Sequence, residues 1–138
     1  MKTKMNVKLL CEIKREILKR PTQFNMDWWF QDTSAIGKAA GGCGIAACIG
    51  GWAIAIARTP NRKRVRLDEA HEASSGSPSS DQIRARMLLG LTQEQSNRLF
   101  NKHLWPVRYR LNRAKSINGM VRRAVARINM FIKTKGRV

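Results

Sequence analysis

Between Ala39 and Ala57 the chain runs for nineteen residues without a charged side chain. Over all 138 residues, by contrast, 27 Lys and Arg stand against 9 Asp and Glu, a formal net charge of +18. So uncharged a stretch in so cationic a chain has to leave water, either for a protein core or for a bilayer. Its composition selects the core. Five of the nineteen are glycine and seven alanine, leaving Ile45, Ile49, Trp52, Ile54 and Ile56 as the strongly apolar residues. A spanning helix needs roughly 20 predominantly apolar residues, and a signal sequence would lie at the N-terminus. Ile45, Ile49, Trp52 and Ile56 recur at spacings of four, three and four, which predicts a buried helix over about Ile45–Ala57. Gly50 and Gly51 fall inside it, where each costs about 1 kcal/mol against alanine. Such glycines are expected where a neighbouring backbone approaches closely, so this helix reads as the centre of the fold.

The flanking sequence supplies its neighbours. Val7, Leu10, Ile13 and Ile17 make one stripe of an amphipathic helix from Met5 to Arg20, supported by Glu16 four residues before Arg20 and stopped by Pro21. The aromatic stretch Phe24–Phe30 is expected to form one turn docked on the core. From Arg58 to Ser80 the sequence reads as a loop, basic at first and serine-rich at its end. Asp81 is placed to cap a helix ending at Leu89, Gly90 to terminate it, and Thr92 with Gln95 to make a capping box for a helix to about Phe100. Trp105-Pro106 marks a further break. Ile117, Met120, Val121, Ala124, Ile128, Phe131 and Ile132 then line one face of a helix over about Ile117–Lys133. No segment alternates convincingly as a strand, and there is no internal repeat. The expectation is an all-α, single-domain bundle of about five helices spanning residues 1–138, with a flexible basic and serine-rich loop over 59–80.

Several short motifs occur together: Asn25-Met26-Asp27-Trp28-Trp29, Cys43-Gly44-Ile45-Ala46-Ala47-Cys48-Ile49-Gly50-Gly51-Trp52-Ala53, Leu89-Gly90-Leu91-Thr92-Gln93-Glu94-Gln95, Arg98-Leu99-Phe100, Trp105-Pro106 and Arg127-Ile128-Asn129-Met130-Phe131-Ile132. The combination resembles a group of small uncharacterised bacterial and phage proteins with a CGTxACIAGWA-like core helix, an LGLTxEQ turn, a WP break and a closing RIxxFI helix. Ile45 stands where that pattern has threonine and Gly50 where it has alanine, and the present chain is far more basic. The resemblance implies a helical fold in a bacterial cytoplasm, phage-encoded or not. It carries no activity and no site residues across.

Catalytic and metal chemistry find little support. Cys43, after Gly41-Gly42 at a helix start, has the setting of an activated thiolate, but its only candidate bases are His71, beside the serine-rich segment, and His103, with no carboxylate following it in sequence. A cysteine hydrolase using Cys43 is therefore a minor alternative to a small buried cysteine. Cys11, Cys43, Cys48, His71 and His103 match no zinc-ligand spacing. A Cys43–Cys48 disulfide is a further option, with reduced thiols the default inside a cell. There is no phosphate-cradling glycine loop and no paired carboxylates, so no enzyme, cofactor or metal is expected.

Charge is the strongest signal. All nine acids fall at or before Glu94, while Gln95–Val138 carries twelve Lys and Arg and no acid. A solvated helix face ordinarily mixes signs, and like charges at i,i+4 such as Arg123 and Arg127 cost roughly 0.2–0.5 kcal/mol per pair unless an anion relieves them. Arg108, Arg110, Arg113 and Lys115 precede that helix, Arg122 lies within it and Lys133 closes it, with Tyr109 interleaved to stack on an unpaired base. A second patch comprises Arg62, Lys63, Arg64 and Arg66. The residues Asp81–Leu89 and Thr92–Phe100 superficially resemble helix-turn-helix, though the second helix is short. The expected function is non-enzymatic binding of DNA, RNA or a ribonucleoprotein through these thirteen residues, with no membrane role. Two other partners fit the charge: an acidic protein, or a host defence nuclease complex inhibited by a phage- or mobile-element-encoded protein, in the manner of an anti-CRISPR.

Overall fold

A computed structural model of the chain describes residues 4–27, 29–32, 45–59, 65–73 and 78–138. The first helix, α1 (Val7–Lys19), begins where the Asn6 side chain accepts the Leu9 N–H at 3.0 Å and ends before Pro21. It buries Leu9, Leu10, Ile13 and Ile17, while Val7 lies outside that stripe and is exposed. Arg20 closes the helix three ways. It pairs with Glu16 at 2.9 Å, donates to the Val65 carbonyl at 2.9 Å and lies over the Trp52 ring.

The expected single helix over Ile45–Ala57 is corrected: the uncharged run divides at Cys48. Phe30–Asp32 (β1) pairs antiparallel with Ile45–Ala47 (β2), Phe30 opposite Ala47 and Asp32 opposite Ile45. The absence of strands is corrected with it, although two three-residue strands leave the fold all-α. The helix α2 (Ile49–Ala57) starts after Cys48, whose backbone is extended and whose Sγ accepts the Gly51 N–H. Gly50 and Gly51 thus stand in the first turn rather than mid-helix. What approaches them is Trp29: a Cβ on Gly50 would meet its indole ring at 2.1 Å, and one on Gly51 its carbonyl oxygen at 2.2 Å. Ile49 through Ile56 are all buried, so α2 is enclosed on every side, against α1, α3 and α4. The expected turn over Phe24–Phe30 is partly strand, with Phe24 bridging to Ala47 and Phe30 beginning β1.

The loop expected over Arg58–Ser80 contains a helix, α3 (Leu67–Ala73), which buries Leu67 and Ala70 against α2 and has Asp68 and Glu69 in its first turn. Asp81 is not the cap of the next helix. That helix, α4 (Pro78–Leu89), begins three residues earlier with Pro78, whose missing N–H costs nothing in a first turn, and Asp81 is buried within it. Gly90 ends α4 with φ +65°, and Thr92 and Gln95 exchange both capping-box hydrogen bonds to open α5 (Gln93–Phe100). Trp105 is buried and donates its indole N–H to the Leu99 carbonyl at 3.0 Å. Three 3-10 turns, Lys102–Leu104, Val107–Tyr109 and Leu111–Arg113, lead to α6 (Ile117–Lys133), capped by Ser116. Val121, Ala124, Ile128 and Phe131 face the core. Ile117 and Met120, expected on that face, overhang its first turn and stay exposed.

Candidate nucleic-acid interface

The cationic residues of the last third separate by what holds them. Arg108, Arg110, Arg113, Lys115, Arg122 and Lys133 are exposed, and none forms an ion pair with a described residue. Arg123 is half-buried because its guanidinium donates to the Arg108 carbonyl at 2.7 Å, which stitches α6 to the Val107–Tyr109 turn. Arg108 in turn lies 4.9 Å from the centre of the Tyr109 ring, so one face of that ring is already covered. Arg122 and Lys133 are eleven residues apart, about three helical turns, and so share the outward face of α6 roughly 16 Å apart. The turns that carry Arg108 and Arg113 pack against α6, so these groups make an exposed cationic set on a segment without a carboxylate.

Arg127 does not belong to it, which corrects its assignment as a phosphate ligand. Its side chain is fully buried, with one nitrogen donating to the Val138 main-chain oxygen at 2.6 Å and to the Arg98 carbonyl at 3.1 Å. Nε and Nη1 have no hydrogen-bond partner, and the guanidinium lies against Trp105 and Phe131. Burial lowers its pKa to about 10, so it stays charged at neutral pH. Arg66 is likewise engaged, bridging to Asp68 at 2.7 Å and reaching Glu69. That pairing holds the Asp68 carboxyl below its ordinary value. The rest of that patch, Arg62, Lys63 and Arg64, lies outside the described residues, as does Cys43. In α5, Arg98 donates to the Gly136 carbonyl and reaches Glu94, leaving no free row of cations for a recognition helix.

Nor does Cys48 offer a nucleophile. Burial pushes its thiol from 9.0 up to about 11, against the opposing pull of the Gly51 and Gly50 amides. Among the described residues no group of three His, Cys, Asp or Glu could hold a metal ion, and no helix is long and apolar enough to cross a membrane.

Beside the cationic surface lies a feature that sequence reasoning missed. An open recess of about 390 Å³ is lined by Met26, Trp29 and Phe100, by the amides of Gln82, Asn97 and Asn101, and by Asp27, Lys102 and His103. Trp29 and Phe100 meet edge to face, ring centres 5.4 Å apart. Gln82 donates to Asn97 Oδ1 at 3.3 Å, and Lys102 pairs with Asp27 across the rim. Lys102 and His103 also line a smaller hollow with Arg110 and Asn112, so the recess opens toward the arginines of the 3-10 turns. The sequence signal was present in Asn97, Phe100, Asn101, Lys102 and His103: amides four apart at a helix end, with an aromatic and two basic side chains adjoining. What it lacked was Trp29, which reaches the site only through its seat on Gly50.

Comparison with known protein families, curated proteins and solved structures finds no match to this chain.

Proposed function

We propose that the protein binds nucleic acid without catalysing a reaction, using the surface formed by the three 3-10 turns and the outward face of α6. The observation that carries this reading is the set of six exposed Lys and Arg side chains without ionic partners among the described residues, on a segment without a single acid. A cation with no protein counter-charge keeps its full attraction for phosphate, and phosphate contacts give affinity largely independent of base sequence. The buried Arg127 and the paired Arg66 contribute nothing to that count.

The test is a titration of nuclease-treated protein with labelled duplex DNA, single-stranded DNA and structured RNA over a salt series. Affinity should fall steeply and linearly in log salt. Replacing Arg113, Arg122 or Lys133 by Gln should reduce the slope by about 0.7–0.9 each, since each variant neutralises one phosphate fewer. Negligible binding of all three ligands near physiological salt would overturn the reading and move the partner to an acidic protein or an assembled nuclease complex.

A further inference from the structure

We infer that the Trp29–Phe100 recess takes one unpaired base of a single-stranded nucleic acid, with its backbone leaving past His103 and Arg110. The inference rests on the polyanion reading above and names the form of nucleic acid that the site distinguishes. Three observations converge on it. The recess is lined by the aromatic rings of Trp29 and Phe100 and by carboxamides, together with His103 and the mutually paired Lys102 and Asp27, whereas the Arg110 guanidinium lies in the adjoining hollow. Its lysine, Lys102, is already paired with Asp27. An acidic peptide would need the reverse, a free cation inside. A nucleotide matches the observed order, since its base is neutral and planar and its charge is carried on the backbone.

Hydrogen-bonding capacity agrees. The Gln82–Asn97 bond uses one N–H of Gln82 and one lone pair of Asn97 Oδ1, leaving a carbonyl and one N–H on the first and an amide N–H₂ and one lone pair on the second. An acceptor beside a donor is the complement of the Watson–Crick edge of an unpaired base, an edge that pairing occupies in a duplex. The volume is ample for a single base and small for a duplex end. Rigidity agrees as well, because the Trp29 ring is seated against Gly50, where no side chain intervenes. The aromatic corner therefore exists before the ligand arrives, and stacking on it is not offset by ordering a loose side chain.

The test compares two 12-residue single strands on the full chain: one bearing bases, the other abasic throughout with the same phosphates. Base-aromatic stacking contributes about 1–3 kcal/mol, so the base-bearing strand should bind about 5- to 150-fold more tightly. Asn97→Ala, at an exposed position, and Phe100→Leu, which keeps most of the buried volume, should each erase most of that gain. Both should leave the abasic strand and its salt slope unchanged, with melting curves confirming the fold. Equal affinity for the two strands would overturn the recess while leaving the polyanion reading intact. A base-dependent gain that survives both substitutions would overturn it too, by placing the base elsewhere. If neither strand binds, both readings fall together.

Discussion

Arg127 holds a cation inside a protein that already repels itself, and the reason is its two main-chain acceptors. The carbonyl of Arg98 and the main-chain oxygen of Val138 converge on one guanidinium nitrogen, and aromatic faces cover the rest. Truncation to Ala should cost about 2–5 kcal/mol in urea unfolding, through the void and the two abandoned oxygens. Arg127→Met keeps much of the volume and removes a desolvated charge, so it should stay within about 1.5 kcal/mol of the parent. Neither variant should change the salt slope of nucleic-acid binding; a slope lowered by one phosphate in Arg127→Met would return the residue to the surface. Burial lowers the folded pKa of Arg127 from its ordinary value to about 10, so it is protonated in both states below about pH 9 and gives no pH dependence there. Cys48 does. Its folded thiol titrates near 11 and its ordinary value is 9.0, so the unfolded chain loses the proton first and stability falls as pH rises from 9 to 11. The full loss is up to about 3 kcal/mol, read as a drop in melting temperature that Cys48→Ser or Cys48→Ala abolishes. The sequence showed that Arg127 and Arg123 repel, but not which one turned inward. That choice depends on acceptors at residues 98 and 138, which no local pattern reports.

At the scale of elements, capping chemistry was the most legible part of the fold. The Thr92–Gln95 box, the Gly90 stop and the extent of α6 all stand where side-chain type and spacing placed them. The division at Cys48 was illegible because Ile45, Ala46 and Ala47 are apolar in either conformation, and three residues are too few to display a period. Helix α3 escaped for a similar reason, since Leu67 and Ala70 make its buried side among the described side chains. Gly50 supplies the measurable consequence. A helix would gain up to about 1 kcal/mol from Gly50→Ala, but the new Cβ would stand 2.1 Å from the Trp29 ring. Overpacking against a rigid ring costs roughly 1–3 kcal/mol, so the clash should win. Gly50→Ala is expected to lower the melting temperature and to weaken base-dependent binding, while leaving abasic-strand binding unchanged. A variant more stable than the parent would show that Trp29 shifts freely.

For the whole molecule the governing quantity is +18 spread over 138 residues. So large an excess of one sign opposes compaction by self-repulsion, and screening relieves it. Thermal unfolding should therefore occur at higher temperature as sodium chloride is raised from low to physiological concentration, and a flat or falling dependence would mean that local pairing outweighs the excess. The excess itself was plain in the sequence; its division into a free surface, a paired Arg66 and a buried Arg127 was not.

The corner between α4 and α5 receives both distant parts of the chain. Asn6 bonds to Leu88 and Leu89 across some 82 residues, and Gln95 and Arg98 reach Lys135 and Gly136 across 40 and 38. Closing loops of those lengths is entropically costlier than forming the short Gly90 corner, and the cost must be met before the contacts repay it. The order of assembly follows from that arithmetic. The expectation is that the α4–α5 corner forms early, that residues 135–138 settle on it next and residues 4–6 last. Pulse-labelled hydrogen exchange during refolding should accordingly protect the amides of Ser96 and Leu91 before that of Asn6.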